Sequence, residues 1–354
     1  NGWTSERETN GIFNKFRKVY PMSEENYERI TKGLDRGGRG MTDIRGGIEC
    51  NMAVISKTHV NGYFTTYGQG EWGIENDYRT APVEIEKAGG YSVLNHVGDW
   101  VDSGRFPHRS HWNVYIAYFA GIFIDCPSCL GMEIVNNTDR VTRGDRELWD
   151  ELLQVVIPKG RNIWAFADDD SEKLNEVGRS FEFFVLPENN EANVKKAMKD
   201  GNFFAASKYY KTTDGVGDFD GDGNVPLVTD IKVDQNANTI TVATDPTRDC
   251  RVIEWIADGK VIATGNTIDL NDYEKDLGCY IRFQMKGSGG VTYSQPFELQ
   301  YKGRIDKPVP SWALWVFKTE AGQKFMKFYH SHSFALGALI AEKIRILIED
   351  NIKK

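Results

Sequence analysis

Between Gly131 and Glu172 the chain runs GMEIVNNTDRVTRGDRELWDELLQVVIPKGRNIWAFADDDSE. Two short apolar runs, Gly131 to Val135 and Asn162 to Ala167, flank a stretch from Asp145 to Val156 whose apolar residues recur at helical spacing. The order is strand, helix, strand. In a (β/α) barrel the carboxyl ends of parallel strands open on one face, so Glu133 and Asp168 to Asp170 are expected to converge there although they are far apart in sequence. A carboxylate at one strand end and an Asp cluster at the next is what a barrel hydrolase uses to hold metal ions. A metal-dependent hydrolase is therefore the leading expectation.

The 354 residues suffice for a barrel-sized domain and a smaller one. A formal charge of -8 argues against nucleic acid as a partner, because a phosphate-backbone binder needs a clustered positive face. A small anionic substrate remains compatible if metal supplies positive charge. Five cysteines are too few for a disulfide scaffold. Cys126-Pro-Ser-Cys129 has no second pair, so two buried thiols or one local bridge is the reading preferred over a zinc ribbon. Cys250 and Cys279 fall in a β-rich stretch, and a bond between them would imply an oxidising compartment. A cell-envelope or secreted location is slightly favoured. The chain starts at Asn1 rather than Met, and an upstream segment is expected. No stretch approaches the ~18 apolar residues of a membrane span.

Up to about Lys208, strand-like runs (Gly47 to Ser56, Gly62 to Tyr67, Tyr91 to Asn95) alternate with helical ones (Ser23 to Leu34, Pro82 to Ala88, Ala192 to Asp200), which indicates an α/β domain over 1–211. The composition then changes to an acidic, Gly-rich linker over 212–225. Residues 226–303 give short alternating segments separated by turn residues, with a hairpin signal at Asp258-Gly259, and predict a small immunoglobulin-like β-sandwich with Trp255 in its core. Residues 304–354 form an aromatic-rich tail that ends in an amphipathic helix, roughly Phe334 to Asn351. Packing of its apolar stripe back onto the protein is the commoner outcome, and contact with a membrane surface is the alternative.

Three candidate ligands stand at strand ends. Glu49 closes one apolar run, His59 begins the next, and His96 follows YSVLN. A carboxylate and neutral imidazoles suit Zn, Mn or Fe. With GGIECN, THVNGYF, LNHVGDW, GMEIVNN, WDELL, GRNIWAFADDDSE and KKAMKDGNFFAAS together, the chain resembles the PHP (polymerase and histidinol phosphatase) family over roughly 1–207. That resemblance implies a distorted (β/α)7 barrel binding two or three metal ions, which activate a water to attack a phosphate ester. It assigns Glu49, His59, His96 and Asp170 as metal ligands, and Asp169 or Glu172 to orient the water or complete a ligand shell. The implied substrate is a small phosphorylated molecule.

Several positions depart from the family pattern. Its opening His-x-His and Thr-Asp-His elements are expected upstream of Asn1, its His-Pro reads His96-Val97, and its Asp-x-His reads Asp170-Ser171-Glu172. His330 and His332 resemble the opening element but lack the Thr-Asp-His, and are read as tail-packing or surface residues. His108 and His111 are read as loop residues, with Arg105 and Arg109 beside them as the local candidates for a phosphate clamp. Asp218, Asp220 and Asp222 match the first half of an EF-hand loop, but Thr229 stands where the bidentate Glu belongs. A calcium-stiffened linker and a solvated acidic turn both remain open. The competing functional expectation is a non-catalytic barrel whose sandwich serves as an envelope or extracellular binding protein.

Overall fold

The computed structural model describes residues 23–44, 46–51, 58–68, 78–101, 112–171, 173–304, 306, 314, 319–322, 324 and 325. Its elements begin with α1 (Glu24–Lys32), β1 (Ile48–Asn51), β2 (His59–Tyr63), α2 (Thr80–Lys87), β3 (Tyr91–Asn95), α3 (Val97–Val101), α4 (Trp112–Asp125), β4 (Cys129–Asn136), α5 (Asp145–Val156) and β5 (Trp164–Asp168). There follow β6 (Ser180–Phe184), α6 (Glu191–Asp200), β7 (Phe203–Ser207), β8 (Tyr209–Tyr210), β9 (Phe219–Asp220), β10 (Val228–Asp234) and β11 (Thr239–Thr244). The last are β12 (Val252–Ala257), β13 (Lys260–Thr264), β14 (Thr267–Asp269), β15 (Tyr280–Gly287), β16 (Gly290–Tyr293) and β17 (Phe297–Glu298).

Local chemistry sets many of these boundaries. Ser23 caps α1 by accepting from the Asn26 N–H, and Gly33 ends it in the left-handed region. Asn190 and Gly201 do the same for α6. The Asp258-Gly259 hairpin turns through two positive φ values, 47° and 74°, as a type I′ turn requires.

β1 to β5 form one open sheet in sequence order, antiparallel from β1 to β3 and parallel from β3 to β5. Strand alternation gives it two distinct faces. Val60, Leu94, Met132, Ala165 and Ala167 pack with α2, α4 and α5 into the largest core. On the other face Val93 and Phe166 join Val194 and Met198 of α6. At Gly131 an added Cβ would meet the Trp164 carbonyl oxygen at 2.0 Å, so β4 approaches β5 closely only because that residue is glycine.

The expected (β/α)7 barrel is not what these strands make. Among the described residues only β3 to β5 are parallel strands joined through helices, and their sheet does not close; β2–α2–β3 and β6–α6–β7 have the same order but pair antiparallel. Beyond β5 the chain turns antiparallel: β6 pairs β7, and β7 pairs β16, in a sheet ordered β13-β12-β15-β16-β7-β6. The all-β region is thus not a separate immunoglobulin-like sandwich either. One of its layers is this sheet, which takes in β6 and β7; the other is β10-β11-β14, and the core between them holds Trp255, Phe283 and Met285. Alternation in a sequence identifies strands, but which edge a strand joins depends on contacts far along the chain. The terminal helix expected at Phe334 to Asn351 lies outside the described residues.

Buried ionic contacts fasten α5 between the two sheets. Asp150 accepts from Arg282 Nε at 2.7 Å, Arg282 Nη2 at 2.6 Å and the Tyr280 hydroxyl at 2.7 Å, and the Arg282 guanidinium lies 4.9 Å from the Trp149 ring. Arg146 donates to Asp139 and to the Ile134 carbonyl, between the rings of Tyr210 and Tyr293. Side chains meet backbone groups of β5 that no strand pairs. Gln295 bonds both the N–H and the carbonyl of Ala165, and Glu182 accepts from the Ala167 N–H at 2.7 Å.

Candidate metal centre

Register places the donors. Asn51 and Asn95 flank His59 across the ladder, and Glu49 lies opposite Asn61. His59, Asn61 and Tyr63 alternate with buried Val60 and Gly62, so they share the polar face of β2. His96 sits one residue past β3 at φ 28°, a left-handed conformation that is costly for a side chain carrying Cβ. Its N–H donates to the buried Glu133 carboxylate at 2.6 Å, and this contact helps hold the turn.

The result is a convergent triangle. His59 Nδ1 lies 3.0 Å from His96 Nε2 and 3.1 Å from Glu49 Oε1, and His96 Nε2 lies 3.8 Å from Glu49 Oε1. Ligands about 2.1 Å from a tetrahedral ion stand about 3.4 Å apart, so these edges bracket the spacing a metal requires. Burial is graded from exposed Glu49 through half-buried His59 to buried His96. Among the described residues this is the one group of three or more such side chains gathered tightly enough to hold an ion.

Burial alone would raise the Glu49 carboxyl, but the imidazoles of His59 and His96 outweigh it and hold the group well below the usual carboxylate range. Asn95 supports it by donating to Glu49 Oε1 at 3.0 Å, while the Tyr78 hydroxyl donates to the Asn95 carbonyl. An outer partner of this kind orients a ligand and tunes its affinity. The Nδ1 of His96 is buried and has no hydrogen-bond partner among the described residues.

Behind the triangle lie buried carboxylates. Burial and the adjacent Asp168 charge push Glu133 well above its ordinary value, and the same two causes raise Glu182. Asp168 is pushed up to about 6, chiefly by burial, and its Oδ2 is buried without a hydrogen-bond partner among the described residues. The Tyr63 hydroxyl, which accepts from Asn61 at 3.3 Å, feels all three of these carboxylates.

Glu49, His59 and His96 thus come together, and Asp170 does not join them. It stands exposed beyond β5 at φ 44°, while Asp169 accepts from the Gly178 N–H at 2.6 Å. Of the three consecutive aspartates, Asp168 is the one set against Glu133. Glu172, Arg105, Arg109, His108, His111, His330 and His332 lie outside the described residues.

The EF-hand half-match is used up within its own loop. Asp218 accepts from Thr212, Asp220 pairs with Lys211, and Asp222 accepts from the Asn224 N–H. All five cysteines are free thiols, so Cys250 and Cys279 are unbonded and Cys126 and Cys129 form no local bridge. Burial pushes Cys126 up to about 11, which leaves it a neutral thiol at physiological pH. Among the described residues no helix is long and apolar enough to cross a membrane.

Asn95, Asn61, Tyr63 and Glu182 were not singled out from sequence. The two-residue alternation His59, Asn61, Tyr63 was the available signal, because three residues with polar atoms on one strand face mark a surface that is not wholly core, although Tyr63 packs its ring against the Val93 and Phe166 cluster. No family model matches the chain, nor does any curated protein or solved structure.

Proposed function

We propose that the protein is a metal-dependent hydrolase of small phosphate esters, with Glu49, His59 and His96 as ligands of a divalent Zn, Mn or Fe ion. The observation that carries this reading is the donor triangle with edges of 3.0, 3.1 and 3.8 Å, set by neighbouring positions of β1 and β2 and the residue after β3. Two imidazole nitrogens and one carboxylate oxygen form a set of borderline hardness, suited to these ions rather than to calcium. A bound ion would supply Lewis acidity toward a water and positive charge toward phosphoryl oxygens.

The chain's own residues supply the remaining functions. Glu49 stays anionic at working pH and offsets part of the ion's charge. Asn95 fixes the Glu49 carboxylate, and Glu133 fixes the backbone of His96. Asp168, with a buried oxygen that has no hydrogen-bond partner among the described residues and a pKa near the range where a carboxyl both takes and gives a proton, is the candidate general base. The chemistry is that implied by the PHP resemblance, without the barrel.

The test is metal analysis of the purified chain together with hydrolysis of an aryl phosphate in Mn, Zn or Fe. Stoichiometric metal and turnover, both lost in His59→Ala, are expected. A chain that takes up none of the three ions refutes the reading. A second reading, a non-catalytic binding protein, is favoured by one observation: Asp170 stands apart, which leaves three donors in the group. Metal uptake without turnover would select it.

A further inference from the structure

The two-layer β region opens at one end into a cleft of about 690 Å³, and none of its lining residues belongs to the metal centre. It lies between the turn joining β10 to β11, the segment after β14 and the strand β17 with its continuation to Tyr301. The volume falls within the range of small-molecule sites.

The floor is apolar because the core between the layers reaches the surface here. Ile240 and Leu299 belong to that core, and Leu277 and Phe297 pack against it. Phe297 stacks on Phe283 with ring centroids 6.3 Å apart. Tyr301 donates its hydroxyl to the Leu277 carbonyl at 2.7 Å, which fixes a partly exposed ring as a wall of the cleft.

The rim has one sign of charge. Asp234, Glu274 and Glu298 line the cleft, and among the described residues no lysine, arginine or histidine does. Arg304, which reaches the Leu299 carbonyl, pairs with Asp306 and also feels the Glu298 charge, so Glu298 is the partly compensated carboxylate of the three. Three carboxylates around a low-dielectric floor focus a negative potential that draws in cations and repels anions. Aromatic faces add attraction for a cation. A neutral polyol would leave the apolar floor uncovered.

We propose that this cleft is a binding site for an organic cation, a ligand with an apolar body and a protonated amine. The apolar body lies on the floor formed by Leu277 and Phe297, and the amine meets the carboxylates of Glu274 and Glu298. The site is independent of the metal centre and of the hydrolase reading.

Titration calorimetry of the full chain with hexylamine, hexanol and hexanoate tests it. Hexylamine should bind saturably, hexanol roughly tenfold more weakly, and hexanoate not at all, with amine binding weakened by added salt. The double variant Glu274→Gln/Glu298→Gln should lose at least about fivefold in amine affinity while its metal uptake stays at the wild-type level. Should that variant misfold, wild-type amide NMR decides, since hexylamine must shift the resonances of Phe297 to Tyr301. Equal binding of hexylamine and hexanol, competition by hexanoate, shifts confined to other residues or an unchanged double variant overturns the proposal.

Discussion

Replacing His59 by alanine removes the donor common to both short edges of the triangle, 3.0 Å from His96 and 3.1 Å from Glu49. What remains is one imidazole and one carboxylate 3.8 Å apart. Loss of an outer-shell partner costs about 10- to 100-fold in metal affinity, so loss of a direct ligand should cost at least about 100-fold. With free metal at about 100 times the wild-type Kd, binding stabilises the folded state by about 2.7 kcal/mol, and after a 100-fold loss the same metal contributes only about 0.4 kcal/mol. An unfolding entropy of about 2.1 cal/mol/K per residue over about 260 ordered residues converts these to Tm increments of about 5 °C and less than about 1 °C. Differential scanning fluorimetry with and without metal, after chelator treatment, reads both values. Asn95→Ala, which strips only the support at Glu49 Oε1, should fall between them. The reasoning fails if His59→Ala retains the wild-type increment, or if the wild type shows none with Zn, Mn or Fe.

The remaining predictions concern the surroundings of the site. Arg282→Met leaves the Asp150 carboxylate buried without its cation and should cost about 3–5 kcal/mol in urea unfolding, most of it recovered when Asp150→Leu is added; a loss below 1 kcal/mol in the single variant would argue against the buried pair. Asp168 and Glu182 are raised above their ordinary values, so near neutral pH the folded protein keeps protons that the unfolded chain has released. The stability contributed by these two groups should therefore be fully present below about pH 4 and fall as pH climbs through about 6 and beyond; a metal-free urea midpoint that rises from pH 5 to pH 8 would contradict this, and Asp168→Asn should flatten the slope. In the aryl phosphate assay Asp168→Asn should lower kcat by roughly 100-fold with metal content unchanged, and equal turnover would remove Asp168 from the mechanism.

The local code was legible where chemistry is local. β3 and α5 run over the residues their patterns indicate, and Asp258-Gly259 turns as its dipeptide requires. The grouping of Glu49, His59 and His96 was legible in part: His59 opens β2 and His96 stands just past β3, whereas Glu49, expected to close its strand, is the second residue of β1. β2 was placed late: Phe64, at φ 58°, ends it one residue past Tyr63, and an aromatic residue in a left-handed turn carries no sequence signal. That Asp168 rather than Asp170 lies against Glu133 was equally hidden, since it depends on which way the last residue of β5 faces. The pairing of β7 with β16 was not legible, because it is set by residues more than eighty positions away.

That last pairing has a consequence for synthesis. Residues 203–207 leave the ribosome long before Val291 to Tyr293 exist to pair with them, and Gln295, which bonds Ala165, is made 130 residues after its partner. Through this interval β7 and the outer edge of β5 are open templates for the wrong strand. Such long-range closure slows folding and exposes the nascent chain to misassembly. Chains truncated anywhere before Gln295 should therefore accumulate as aggregates rather than as a folded N-terminal half, and the Glu49, His59 and His96 group should assemble only after translation has passed that residue.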